Sequence, residues 1–465
     1  MEPSILERAE HPISRRDIDS NVLKVLYRLI AAEHVAYLVG GSVRDLMMGR
    51  RPKDFDVATS AHPQQVRDIF RNSRMIGRRF RLVHVFFGAQ NIEVATFRRR
   101  SEEVLDAGDP MIRQDNTFGT PEEDAFRRDF TINSLFYDPR TFRVIDYTGG
   151  VSDLKARLIR TIGDPEVRMR EDPVRMIRAV RFAAKLGFQI EEETAAAIRR
   201  NCSDLTKASA PRMVEEIFRT VGTAGAAQAL VLMERLGLLR VLIEPLSAHL
   251  RDTIKADEEL ESARAVRNLA ALGDVIGAEG EQPRPMVLAC LFAELHLRWA
   301  SEPERRTELL RYLQSRGFAR GECEQMRLLL DALVHMTALS RHVRRIARRP
   351  YFGEARRLLG LVAPVNGVGV EELDRFLTEL ADSGTYRRPL HSAGPVANGT
   401  GRRRRRRRGG RRHRRRPEAA VASASSVSEA SVPEAEVADA AASVTVEPIG
   451  EGDNAAGGCA EHRER

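Results

Sequence analysis

The sequence predicts an α+β fold: a head with a small mixed β-sheet, then an all-α neck and body, then a disordered arginine-rich tail. Three observations carry that expectation. Alternating apolar runs divided by glycine-bearing turns are confined to roughly the first 150 residues. From there to about Ala381, apolar residues recur every three to four positions, the period of amphipathic helices. Beyond about His391 the large apolar residues run out. An arginine run and Ala, Ser, Glu and Val repeats follow, a composition that cannot bury a core.

A chain of 465 residues is long for one core, so several domains are expected. The pattern places them at 1–19 (an N-terminal extension), 20–163 (the head), 164–240 (a helical neck), 241–390 (a helical body) and 391–465 (the tail).

In the head, Val22, Val25, Leu26, Leu29 and Ile30 recur at helical spacing, and His34–Val39 reads as a strand entering the turn Gly40-Gly41. Asp45–Met48 suggests a short helix stopped by Gly49. Phe55–Thr59 is a second strand, and Pro63–Asn72 a helix opened at His62-Pro63, since proline suits a first helical turn. Phe80–Phe87 and Asn91–Phe97 read as a hairpin around Gly88-Ala89-Gln90, with Ile92, Val94 and Thr96 on one face and Glu93 and Ala95 on the other. Past about residue 150 no strands are expected. Arg168–Leu186, Glu192–Asn201 and Pro211–Leu238 form the neck, and Met286–Leu297, Arg305–Ser315 and Cys323–Leu333 belong to the body.

Composition removes several function classes. No stretch of about 18 uncharged apolar residues is present, so no transmembrane helix is expected. The first residues, Met1–Arg8, are acidic and polar with no apolar h-region, which predicts a cytoplasmic rather than a secreted protein. Cys202, Cys290, Cys323 and Cys459 lack paired spacing, so neither a zinc site nor a disulfide framework is expected. Twelve arginines and no acid lie between Arg402 and Arg416; without them the formal net charge of +9 would be −3. The basicity is local and all arginine, whose forked donors suit phosphate. Nucleic acid is the leading partner for this run, with an acidic protein or a membrane surface as the alternative.

The chemistry concentrates in the head. Asp54 and Asp56 sit in Lys53-Asp54-Phe55-Asp56-Val57, nine residues after the turn Gly40-Gly41-Ser42-Val43-Arg44-Asp45. Period-two spacing on a strand would aim both carboxylates to one side. Two bare carboxylates so close repel unless a cation lies between them, and magnesium is the usual one. Backbone amides of a Gly-Gly turn, with Arg44 just past it, can meet phosphate oxygens. Together these features predict phosphoryl chemistry on a nucleotide. A two-metal site wants about three carboxylates, with metals roughly 3.5–4 Å apart, and Glu93 and Asp129 are candidates. Glu93 reads equally as a metal ligand or as an exposed strand acid or arginine partner. Asp129, in Arg127-Arg128-Asp129-Phe130-Thr131, reads as a catalytic acid or a helix N-cap, two compatible roles.

A second constellation is Arg170-Glu171-Asp172-Pro173-Val174-Arg175-Met176-Ile177-Arg178 and on to Phe182. Asp172 suits an N-cap and Pro173 the first helical position. Asp172, Arg175, Arg178 and then Arg181 share a stripe, opposite Val174, Ile177 and Val180. Such a helix offers a carboxylate and a guanidinium ladder to a base edge and to phosphates; the alternative is a salt-bridged surface helix. A third feature, Ile76–Val85, puts Arg79, Arg81 and Val83 on one strand face and Phe80, Leu82 and His84 on the other. It reads either as a cationic guide for a phosphate backbone or as a solvated edge with a core histidine.

The stretches LVGGSVRDLMMGRRPKDFDVAT, RRDFTINSL and REDPVRMIRAVRFAAKLGF, in this order, resemble the class II nucleotidyltransferase superfamily, which holds CCA-adding tRNA nucleotidyltransferases and bacterial poly(A) polymerases. The resemblance covers about Ile13 to Leu238. IGRRFRLVHV, the leader ISRRDIDSNVLKVLYRL and the arginine-rich extension look more like the poly(A) polymerase branch. The resemblance implies that Asp54 and Asp56 bind two Mg²⁺ ions, with Asp129 a further active-site acid. It implies triphosphate contacts from Gly40, Gly41 and Arg44, nucleotide contacts from Arg128, Arg175, Arg178 and Arg181, and base reading by Asp172 with Arg175. The activity implied is template-independent addition of adenylate from ATP to RNA 3′ ends, with RNA-decay proteins as further partners through the basic tail. CCA addition to tRNA is the close rival, and a non-catalytic RNA-binding protein the rival of another class.

Overall fold

Eight strands pair into one mixed sheet: β1 (Ser4–Leu6), β2 (Ala36–Val39), β3 (Asp56–Thr59), β4 (Ser73–Ile76), β5 (Leu82–Phe87), β6 (Gln90–Thr96), β7 (Leu135–Asp138) and β8 (Arg143–Asp146). Their order is β1-β8-β7-β2-β3-β6-β5-β4. The β3–β6 pair is parallel and the other neighbours are antiparallel. The computed structural model describes residues 2–77, 82–99, 117–255, 259–260, 263–362 and 368–382. Arg79, Phe80, Arg81, Cys459 and the arginine-rich tail lie outside them. The predicted class, a mixed-sheet head followed by helices, holds.

Several elements differ from expectation for identifiable reasons. Residues read as an extension add β1 to the sheet edge, with Ile5 opposite Ile145; three residues are too few to show alternation. The β7–β8 hairpin was not anticipated. All four residues of β7 are buried, so its side chains carry no polar alternation to read. The Gly41–Met47 helix begins four residues before the expected Asp45, because Gly40 completes the turn alone at φ +71°. Strand β3 starts at Asp56, which leaves Asp54 and Phe55 in the preceding loop.

Expected helix Arg168–Leu186 is two helices, Pro165–Glu171 and Val174–Leu186. Pro173 lacks an N–H and pushes the residue before it toward extended backbone, and Asp172 sits at φ −144°. Asp172 therefore ends the first helix, and its side chain does not cap the second. Pro211–Leu238 likewise resolves into Ala210–Val221, Ala226–Arg235 and Leu238–Leu242, interrupted near Gly222 and Gly237. A two-residue strand pair, Leu158–Ile159 with Gln189–Ile190, lies past residue 150, where no strand was expected.

One apolar core runs through Leu26 and Val57 of the head, Ile177 and Val180 of the neck, and Leu288 and Leu330 of the body. A smaller cluster of Val39, Ala58, Phe97, Ala125 and Phe136 covers the other face of the sheet. Helix Val174–Leu186 packs against Ala210–Val221 and Ala226–Arg235. Phe182 meets Phe130 edge to face at 5.8 Å, which joins neck to head. Cys202, Cys290 and Cys323 are free thiols. Among the described residues no helix is long and apolar enough to cross a membrane.

Candidate active site

The strand register builds the acidic floor of the site. Across β2, β3, β6, β5 and β4 it aligns Val39, Asp56, Glu93, His84 and Arg74 in one row, so these side chains share a face. Asp54, though off the strand, opens onto the same cleft of about 960 Å³ as Asp56 and Glu93. All the candidate residues border it: Gly40, Gly41, Arg44, Asp54, Asp56, Glu93, Arg128, Asp129, Asp172, Arg175, Arg178 and Arg181.

Neither Asp54 nor Asp56 receives a hydrogen bond or meets a cation among the described residues. Water reaches Asp56, but it lies low in a cleft walled by protein. That surrounding, with Glu93 beside it and Asp54 near, pushes its carboxyl up to about 6 against the pull of Arg128. Glu93 is half-exposed and faces His84 Nε2 at 3.3 Å, which favours the partnered reading of this acid, with His84 in place of an arginine. His84 also lies 3.2 Å from Asn91 through Nδ1 and is half-buried.

A bare, mutually repelling acid pair fits a divalent cation. Among the described residues no group of three or more His, Cys, Asp or Glu side chains is arranged to hold a metal. Asp54 and Asp56 are the bare carboxylates such a cation would meet, with other oxygens completing its shell, as would suit magnesium.

Most guanidiniums of the cleft are held in place by their own partners. Gly40 makes the turn from β2, and a Cβ there would sit 3.1 Å from Arg128 Nη1. Arg44 is 2 % exposed; its Nε and Nη2 donate to Asp45 Oδ1 at 2.9 and 2.7 Å, and its Nη1 to Asn133 Oδ1 at 2.6 Å. Asn133 Nδ2 donates onward to Asp129 Oδ1 at 3.2 Å. Asp129 Oδ2 accepts from Arg178 Nε and Nη2 at 2.8 and 2.5 Å. Burial alone would raise the Asp129 carboxyl, but Arg178 and Asn133 outweigh it and hold it at about 2.

Arg128 donates to Asp124 Oδ2 through Nε at 3.1 Å and Nη2 at 2.8 Å, and to the Asn133 carbonyl at 3.3 Å. Arg181 pairs with Glu216. Arg44, Arg178 and Arg181 all stand over the ring of Phe182, at 5.4, 5.4 and 4.4 Å from its centre.

Asp172 and Arg175, the base-reading pair implied by the resemblance, both line the cleft and are held by separate partners. Arg175 is buried and donates to Glu171 Oε2 at 3.1 Å and to the Arg168 carbonyl at 3.0 Å, rather than to Asp172. Asp172 Oδ2 accepts from Arg212 Nη2 at 2.7 Å, while its Oδ1 is buried with no partner. Arg50, Arg51, Lys53 and Lys185 line the cleft, and their side chains make no hydrogen bond or ion pair among the described residues. Lys185 is pulled below its usual range by burial and by Arg44, Arg181 and Lys53, with Asp45 opposing.

Sequence reasoning missed Asn133, Phe182, Lys185 and Arg212. The first three fall inside the quoted motifs, so the signal was present. Arg212 lies 40 residues past Asp172 on another helix, and no local pattern couples them.

Residues 36–160 match the family described as "Poly A polymerase head domain", and residues 187–250 that described as "Probable RNA and SrmB- binding site of polymerase A". Poly(A) polymerase I of Escherichia coli O6:H1 is 55% identical over 223 residues, which are 46% of this chain and 48% of that protein. Over 208 residues, 45% of this chain and 51% of the relative, the CCA-adding enzyme of Bacillus subtilis is 40% identical. The chain spans about half the length of these curated relatives. The crystal structure of the Bacillus stearothermophilus CCA-adding enzyme in complex with CTP aligns with a TM-score of 0.58 and 28% identity, covering 77% of this chain and 82% of that one. With the acid pair, the Gly-Gly turn and the arginine ladder bordering one cleft, residues 36–160 carry a nucleotidyltransferase head similar to that of bacterial poly(A) polymerases and CCA-adding enzymes.

Proposed function

We propose that this chain adds AMP from ATP to RNA 3′ ends without a template and releases pyrophosphate, with Asp54 and Asp56 holding two Mg²⁺ ions. The observation that carries the reading is the unpaired Asp54 and Asp56 lining one cleft together with prepositioned guanidiniums. Mg²⁺ held there would supply charge neutralisation and Lewis acidity at the reacting phosphoryl group.

The protein's own groups do the rest. Arg44 and the unpaired Arg50, Arg51, Lys53 and Lys185 bind the triphosphate, while Asp129 and Asn133 fix the guanidiniums of Arg178 and Arg44. The RNA 3′ oxygen forms a bond to the α-phosphorus as the bond to the bridging oxygen breaks. Preorganised charge and alignment supply most of the rate.

Asp172 is held by Arg212 with its Oδ1 buried and unpartnered, and Arg175 lies near it; turned into the cleft, the two would offer an acceptor and a donor side by side. An acceptor beside a donor matches the exocyclic amine and ring nitrogen shared by adenine and cytosine, and it opposes guanine and uracil, which present a carbonyl there. This pair therefore excludes GTP and UTP, and the size of the base must separate ATP from CTP. The arginine-rich tail would add phosphate contacts and a surface for RNA-decay proteins.

The likeness to a CTP complex favours one rival, CCA addition. The test gives purified protein, Mg²⁺ and an RNA oligomer each nucleotide singly. Long ATP-only tails support the proposal; addition of C, C and A followed by arrest supports the rival. Asp54→Ala should keep the circular dichroism of the wild type and lose incorporation by about 10³-fold or more. Normal rates in that variant would refute the metal assignment.

A further inference from the structure

The body carries a concentrated positive surface far along the chain from the cleft motifs. Helix Arg320–Thr337 ends at a turn, and the short helix Val343–Ile346 follows. Val343, Ile346 and Ala347 are buried and anchor this segment on the helix before it. Between and beside them lie Arg341, Arg344, Arg345, Arg348 and Arg349, all exposed. None of these five side chains makes a hydrogen bond or ion pair among the described residues.

Asp331, Asp374 and Glu279 nearby are already occupied. No Asp or Glu lies between Asp331 and Glu354 in the sequence. Asp331 takes Arg306 at 2.9 Å, Arg327 at 2.8 Å and His296 at 3.1 Å. Asp374 takes Arg356 at 2.5 Å, and Glu279 takes Arg357. The local field is correspondingly positive: burial lowers His335, and His342, Arg345 and Arg306 lower it further against Asp331 alone. The exposed ring of His342, 5.0 Å from that of His335, adds a flat π surface among the guanidiniums.

We propose that Arg341, Arg344, Arg345, Arg348 and Arg349 form a second, sequence-tolerant binding surface for single-stranded RNA, separate from the catalytic cleft. Uncompensated arginines with a ring beside them suit a phosphate backbone and a stacked base. A stable protein partner would want an apolar anchor at the centre of its contact. No large apolar residue of this segment is exposed. The inference rests on RNA being the acceptor, and it adds where the strand upstream of the 3′ end is held.

The test uses the full chain and equilibrium binding of a long and a short oligoadenylate over a range of salt concentrations. Each phosphate contact on a single strand contributes about 0.7 to the slope of log K against log salt, so Arg344→Gln/Arg345→Gln/Arg348→Gln should lower the slope by about 2 and weaken long RNA about tenfold at low salt. Short-oligomer binding and AMP incorporation onto it should stay at wild-type values. The lysine version of the same triple variant keeps the charge and should keep the slope; if it falls as the glutamine version does, charge is not the cause and the proposal fails. Unchanged slope and affinity would overturn it, as would equal losses for both oligomers. Loss of polyglutamate binding with RNA binding intact would assign the surface to an acidic protein and likewise overturn it. If wild type never incorporates AMP yet the slope change persists, the catalytic reading fails and this one stands.

Discussion

Asp129→Asn is the substitution that separates an acid acting on the reaction from an acid that positions a guanidinium. Asp129 is held at about 2, against an ordinary aspartate value near 3.8. A difference of nearly two units corresponds to about 2 kcal/mol favouring the charged, folded form. Its side chain is 10 % exposed, so solvent screens little of this. Because the folded-state value is depressed, the stabilisation is present above about pH 4 and fades as pH falls toward 2. Asparagine keeps one acceptor oxygen but no charge, and Arg178 then loses the partner that receives both Nε and Nη2. The expected outcome is a stability loss of about 2 kcal/mol at neutral pH that shrinks as pH falls below about 4 toward 2, with a raised KM for ATP. Denaturant unfolding of Asp129→Asn, Arg178→Gln and the double variant closes a cycle whose coupling should be about 2 kcal/mol. Additivity within about 0.5 kcal/mol, together with an unchanged KM, would refute the positioning role.

Asp56 has the opposite sign. Its raised value, about 6, places a penalty on the folded chain that is absent below about pH 4, grows up to about 6 and stays constant above. The full shift would be about 3 kcal/mol, but cleft water reaches this group and about 1 kcal/mol should survive screening. Asp56→Asn should therefore abolish incorporation yet melt slightly higher than wild type without Mg²⁺. Added Mg²⁺ should raise the melting temperature of wild type alone; equal stabilisation of both proteins would remove Asp56 from the metal site. Gly40→Ala should cost about 1–2 kcal/mol in denaturant unfolding, because alanine resists φ +71° and its Cβ crowds Arg128. A neutral Gly40→Ala would show the turn to be unconstrained.

Fold class was legible because period-two and helical patterns occupy separate halves of the chain. What escaped was structure whose cause lies elsewhere in space. Fully buried β7 has no solvent face to imprint alternation, and β1 is specified by its partner β8 more than by its three residues. Asp172-Pro173 also shows how a local rule can name the right residue for the wrong role. Aspartate before proline reads as an N-cap, yet the chain is extended there and the side chain is turned to Arg212 on another helix.

The candidate site was more legible than the fold around it, and charge explains why. Its cations had to be spaced regularly to share one wall, so Arg175, Arg178 and Arg181 leave a pattern in sequence. Their partners need only be nearby in space: Glu216, which pairs with Arg181 from another helix, leaves no such pattern. Asn133 is the instructive case: it accepts from Arg44 of the turn and donates to Asp129, which grips Arg178 of the neck, so one amide joins three separate motifs. A cation that must meet phosphate in one geometry is fixed by an acid or amide of its own, at a cost in local attraction for the ligand. Asp54 and Asp56 received no such partner. Leaving two acids bare in a cleft rich in guanidiniums destabilises the free protein, and it makes sense only where a ligand of opposite charge completes the site.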